Sequence, residues 1–156
     1  VDVDPDRAAV AAALGVDFAL PEEATGECDL VMHASASSSG LARALELLAD
    51  EGEVIELSWY GDRDVHVPLG EAFHSRRLVV RSSQVGKVAP ARRGRRSFTD
   101  RKALALELLA DPVFDVLITD ECRFEELPEV MARLAAGRDR GLCVRVDYGH
   151  DTGEES

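Results

Sequence analysis

The sequence predicts an α/β fold: a parallel, doubly wound sheet with helices on both faces. Three observations predict it. Residues 1–59 alternate in the order strand, helix, strand, strand, helix, strand, and short connections between such elements favour right-handed crossovers and parallel strands. The stretch Asp29 to Ser35 (DLVMHAS) is short, mostly apolar and bounded by polar residues, as a strand buried on both faces is. Leu41, Leu45 and Leu48 then recur at helical spacing and supply the apolar face of a crossover helix.

Element by element, Val1 to Asp4 reads as the end of a strand. Pro5 suits a first helical turn, with Asp4 as N-cap. Arg7 to Leu14 is Ala-rich and helical, and Gly15 ends it. Val16 to Leu20 is a short strand and Pro21 to Cys28 an acidic loop. After the strand Asp29 to Ser35, the hydroxyls of Ser37, Ser38 and Ser39 can cap a helix that runs to about Asp50. Glu51-Gly52 closes it, and Val54 to Trp59 (VIELSW) is the next strand. Val65 to Leu69 and Leu78 to Ser82 are β-rich, with a short helix over Gly70 to Arg76 between them. Thr99 or Asp100 can cap a helix over Arg101 to Leu109, with Leu104 and Leu108 inward. Phe114 to Thr119 reads as partly extended, continued by Glu121 to Phe124. A helix starting at Glu126-Leu127-Pro128 ends at Gly137, and Leu142 to Val146 is the last strand. From Gly149 the chain is polar and acidic, as disordered tails are.

The chain has 156 residues, 18 Lys+Arg against 30 Asp+Glu, and a formal net charge of −12. Its 46% hydrophobic and 31% charged residues read as a globular protein of one domain. No apolar run approaches the ~20 residues of a membrane span, and no secretory leader opens the chain. An acidic balance argues against a nucleic-acid partner. The three cysteines, Cys28, Cys122 and Cys143, form no CxxC pair, which fits a cytoplasmic location and excludes a zinc ribbon. Charge is uneven. Between Lys87 and Lys102 seven basic residues face only Asp100, a loop of +6 that leaves −18 on the rest.

Read in order, VDVDPDRAAVAAALGVDFAL, DLVMHASASSSGLARALELLADEGEVIELSWYG, LVVRSSQVG and FEELPEVMARLAAG together resemble the C-terminal part of the zinc-type medium-chain dehydrogenase/reductase (alcohol dehydrogenase-like) family. The resemblance implies an incomplete Rossmann-like sheet plus a C-terminal returning segment. Residues 1–98 would be a partial dinucleotide-binding domain, 99–148 the helices and strands completing the fold, and 149–156 a disordered acidic tail. No GxGxxG occurs, so the first strand, its phosphate-binding turn and the zinc-bearing catalytic domain are expected to be missing. The second strand would then lie beside a gap. Each buried unpaired backbone group costs about 1–3 kcal/mol against a net stability of about 5–15 kcal/mol. Residues 1–28 are therefore expected to pack poorly, or the second strand to slip in beside the fourth.

The implied function is the cofactor-binding portion of an NAD(P)-dependent alcohol or polyol dehydrogenase-like oxidoreductase, inactive alone. The alternative is a truncated, non-catalytic remnant or interaction module; a reductase of the same fold without zinc is a third reading. NAD or NADP would be the cofactor, with zinc supplied only through the missing domain. The partners would be the dinucleotide and a small alcohol or carbonyl substrate. The parent would be a homo-oligomer using the edge strand Val65 to Leu69.

Asp2, ending the second strand, would bind the adenosine ribose hydroxyls and repel a 2′-phosphate. Arg7 could reach the same ribose or favour that phosphate. Ala34, Ser35 and Ala36 would let the backbone approach the cofactor. Leu57, Ser58 and Trp59 would meet the nicotinamide, joined by Ser83 and Val85 from the next strand. Read by itself, Trp59 is a core or interface residue and His33 a satisfied core histidine. No GxSxG elbow is present, and no His/Cys spacing suggests a metal site.

Overall fold

The structure, a computed structural model, describes residues 1–70 and 72–149. The acidic tail beyond Gly149, His150 and Glu71 lie outside the described residues. In chain order the elements are α1 (Arg7–Ala13), β1 (Cys28–His33), α2 (Ser38–Glu46), β2 (Leu48–Glu56), α3 (Ala72–Ser75), β3 (Val79–Ser82), α4 (Phe98–Leu109), β4 (Ile118–Arg123), α5 (Leu127–Ala135) and β5 (Cys143–Asp147). They fall into two compact units: Val1–Pro5 with Phe18–Asp100, and Asp6–Asp17 with Arg101–Ser156. All strand pairs are parallel, so the α/β, partial Rossmann-like class holds, with the strands divided between a three-stranded and a two-stranded sheet.

The first unit carries the sheet β1-β2-β3. Helix α2 begins at Ser37, whose Oγ accepts from the Gly40 N–H at 3.0 Å, which satisfies one orphan donor of the first turn. The helix buries Leu41, Ala44 and Leu45 on one face. These pack with Leu48, Val54 and Leu78, and with the partly buried Val31, Val65, Val67 and Phe73. Leu48 and Val54 are fully buried, which puts β2 at the centre of the core.

Strand β2 starts six residues earlier than the apolar run VIELSW suggests, and α2 ends earlier to match. The reason is tertiary. Cys28 pairs with Leu48, and the register shifts before Leu30 pairs with Glu53. Glu51, at φ 61°, makes the irregular turn inside the strand. Gly52 follows it where a Cβ would lie 3.0 Å from the carbonyls of Ala49 and Cys28.

Several further expectations need correction. Val1–Asp4 and Val16–Leu20 form no ladder: among the described residues the two stretches share one backbone bond, from Asp2 N–H to the Ala19 carbonyl at 3.2 Å. Val1, Val3 and Val16 stay exposed. The alternating pattern found no apolar face to bury against, and a strand without a neighbour has no ladder. Second, β1 is packed on one face only, since Leu30 and Met32 are exposed while Val31 and His33 turn inward. Third, Val65 and Val67 pack on the core without joining the sheet. Fourth, Asp6 rather than Asp4 stands at the N-cap of α1, without a side-chain capping bond.

In the second unit β4 and β5 pair, with Cys122 and Val130 of α5 buried. Pro128 stands in the first turn of α5. Residues Pro112–Leu117 form a 3-10 turn rather than the extended stretch expected. Helix α4 begins at Phe98, earlier than expected, because Ser97 and Asp100 cap each other: Asp100 N–H donates to Ser97 Oγ and Ser97 N–H to Asp100 Oδ2. The end of the basic stretch is therefore helical. No residue of α4 is buried, and Leu104, Leu106, Leu108 and Leu109 stay exposed, against the inward face expected.

Candidate functional site

The pairing of β1 with β2 sets His33 opposite Glu56, and that of β2 with β3 sets Glu56 opposite Ser82. Everything that follows these three residues gathers where the strands end. Leu57 N–H donates to the His33 carbonyl and Ser83 N–H to the Glu56 carbonyl, each at 2.8 Å. Ala36 N–H donates to Ser58 Oγ at 3.0 Å. Ala36 itself has φ 51°, a left-handed turn that a small side chain tolerates best.

Beneath this surface lies a connected polar cluster. His33 is buried, and its Nδ1 lies 2.7 Å from Glu56 Oε2. Its Nε2 lies 2.7 Å from Ser35 Oγ, which is 2.9 Å from Ser37 Oγ. Glu56 also accepts from Ser58 N–H at 2.8 Å and from Tyr60 O–H at 3.0 Å. No buried side-chain N or O atom among the described residues lacks a partner. Burial by itself pushes the Glu56 carboxyl up, but the hydrogen bonds from Ser58, His33 and Tyr60 outweigh it and hold the carboxyl below its usual value. Burial first, and the Glu56 carboxylate next, push the Tyr60 phenol up.

An ionised carboxylate only accepts, so in the neutral imidazole the proton sits on Nδ1 and Nε2 is left to accept from Ser35. The donations then run one way: Gly40 N–H to Ser37, Ser37 to Ser35, Ser35 to His33, His33 to Glu56. Gly40 is needed for this. A Cβ there would fall on Ser35 Oγ and lie 2.8 Å from both His33 Nε2 and Ser37 Oγ.

Of the residues singled out from the sequence, Ala34, Ser35, Ala36, Leu57, Ser58 and Ser83 lie at these strand ends. Trp59 follows Ser58 and is 85% exposed, so it is not a core residue of the first unit. Val85 is exposed beyond β3. Asp2 is exposed and its Oδ1 accepts from Asp4 N–H at 2.9 Å. Arg7 belongs to the other unit, where its guanidinium donates to the Arg140 carbonyl at 2.6 Å. His33 is the satisfied, buried histidine expected. Sequence reasoning did not single out Glu56, Gly40 or Tyr60, and named Ser37 only as a helix cap, which it is. The available signal was an acid in VIELSW at the end of an otherwise apolar strand. Among the described residues no group of three or more His, Cys, Asp or Glu side chains is placed to hold a metal ion, and no helix is long and apolar enough to cross a membrane.

No protein-family model and no curated protein matches the sequence. Solved structures do match the fold. L-idonate 5-dehydrogenase from Escherichia coli K-12 superposes with a TM-score of 0.71 at 20% identity, over 94% of this chain and 41% of that one. An alcohol dehydrogenase zinc-binding domain protein from Burkholderia ambifaria gives 0.67 at 16% identity, over 96% and 41%. An oxidoreductase from Salmonella enterica in complex with NADP gives 0.65 at 15% identity, over 94% and 45%. The chain thus has the fold of part of the zinc-binding, medium-chain type of alcohol and polyol dehydrogenase, a partial Rossmann-like α/β arrangement. It spans less than half the length of the structures it matches.

Proposed function

We propose that the chain is the cofactor-binding portion of an NAD(P)-dependent, zinc-type alcohol or polyol dehydrogenase-like oxidoreductase. The observation that carries this reading is the fold match over 94% of the chain to L-idonate 5-dehydrogenase. A second support is chemical. In open parallel sheets, ligands bind beyond the carboxyl ends of the strands, and here those ends present small side chains and hydroxyls.

In this reading Ala34, Ser35 and Ala36 admit the dinucleotide close to the backbone, and Leu57, Ser58, Trp59, Ser83 and Val85 line its nicotinamide side. Asp2 takes the adenosine ribose and repels a 2′-phosphate. The bound dinucleotide supplies the hydride acceptor or donor. Zinc, and the pocket for a small alcohol or carbonyl compound, belong to a separate catalytic domain of a cytoplasmic, homo-oligomeric parent. The chain alone binds the dinucleotide weakly and does not turn over substrate.

The test is a titration of the isotope-labelled chain with NADH and NADPH followed by NMR. Weak, saturable shifts centred on residues 34–36, 57–59 and 83–85 are expected. Shifts confined to other residues, or none at all, would overturn the cofactor assignment. Sub-micromolar affinity would overturn the view that the binding site is incomplete.

A further inference from the structure

Ser35, His33 and Glu56 have the relations of a nucleophile, a general base and the acid that orients it. We propose that Ser35 is an activated nucleophile that attacks small carboxylic esters, with His33 as its base. This inference does not rest on dinucleotide binding.

Three observations carry it. The two contacts that define such a relay, Ser35 Oγ to His33 Nε2 and His33 Nδ1 to Glu56 Oε2, are both 2.7 Å. That is within the reach required of a nucleophile–base pair and its orienting group. The burial is graded in the right sense: His33 and Glu56 side chains are 6% and 12% exposed, while Ser35 is open to solvent. A base shielded from water beside the hydroxyl of an exposed residue fits the order of burial that such a relay needs. Finally, the base cannot easily turn. Glu56 is itself held by Ser58 and Tyr60, which fixes the carboxylate and with it the imidazole tautomer. Ser37 is fixed by Gly40 N–H and donates to Ser35 Oγ, which leaves the Ser35 proton to His33 and assists Oγ as the leaving oxygen when water releases the acyl group.

The step balances without a co-reactant other than water. Ser35 Oγ bonds to the acyl carbon as its proton passes to His33 Nε2. The bond from that carbon to the alkoxy oxygen breaks, and the same proton leaves with the alcohol. Water then repeats the sequence on the acyl-serine and returns the carboxylic acid. The turn carries no GxSxG elbow; the nucleophile instead stands two residues past the base, on the loop between β1 and α2.

The experiment is covalent labelling of the full chain with a fluorophosphonate, without dinucleotide. The Oγ–P bond forms, fluoride leaves, and the Ser35 proton goes to His33. One adduct per chain, mapped to Ser35 by peptide mass, is expected. Ser35→Ala should abolish it. Glu56→Gln should slow it about 100-fold, and Glu56→Asp should restore part of the rate, which a purely structural role for Glu56 would not produce. Circular dichroism of each variant identifies any that fails to fold, and Ser35→Ala, an exposed one-atom truncation, keeps the test decisive. No adduct, an adduct on Tyr60 or another residue, or equal labelling of Glu56→Gln would overturn the proposal.

Discussion

At the scale of single residues, Glu56 decides how the site responds to pH. Its carboxyl is held below its ordinary value in the folded chain. A depressed acid contributes stability that is fully present above its unfolded pKa and is lost as pH falls through the folded one. Acid unfolding followed by circular dichroism should therefore show the wild type losing stability below about pH 4.5, and Glu56→Gln losing less over that window while being less stable at neutral pH. Equal acid sensitivity of the two would show that Ser58, His33 and Tyr60 do not hold the carboxylate. The residues of this cluster also mark the limit of reading from sequence. That a turn after β1 and the ends of β2 and β3 converge follows from parallel topology, and Ala36, Ser58 and Ser83 could be named on that basis. That His33 meets Glu56 depends on a register set between residues 23 apart. Periodicity reports faces, not register, so Glu56 looked like one more strand-end acid.

At the scale of elements, the core rests on α2 and β2. Leu48, the first residue of β2, is fully buried in the cluster with Leu41, Ala44 and Leu45 of α2, and truncating such a leucine removes transfer energy and leaves a cavity. Leu48→Ala should cost about 2–5 kcal/mol in urea unfolding; a loss under about 1 kcal/mol would mean that the site collapses around the smaller side chain. The sequence made α2, α5 and the apolar centres of β1, β2, β3 and β5 visible, because each carries its pattern locally. It misplaced the start of β2, where the extension from Leu48 arises from pairing with Cys28 across an irregular turn. It overcalled strands at Val1–Asp4 and Val16–Leu20 because alternation describes a face that could be buried, and no partner buries it. It placed Leu104 and Leu108 inward on α4, where the helix is exposed along its length.

At the scale of the whole molecule, protection is expected to be uneven. Regions with few buried apolar contacts open at lower free energy than core strands. Amide hydrogen exchange should leave β2 the slowest element and residues 1–5 and 16–20 among the fastest. Slow exchange in those two stretches, at the rate of β2, would show that they are ordered by more than the bond from Asp2 to Ala19 and the local bonds of Asp4, Val16 and Leu20. The charge follows a similar division, since a chain of −12 gathers seven of its 18 basic residues between Lys87 and Lys102, all seven exposed.

The crowding around Gly40 has a consequence for recognising this arrangement elsewhere. Because no side chain fits there beside Ser35, and because each donor lies at a fixed offset from the last, the whole hydrogen-bonded chain is written in two short strings: His33-x-Ser35-x-Ser37-x-x-Gly40 and Glu56-x-Ser58-x-Tyr60. One crossover helix separates them. A sequence bearing both strings at the ends of adjacent parallel strands has the groups needed for the same bonds, so the pair serves as a fingerprint for the cluster where overall identity is too low to reveal kinship.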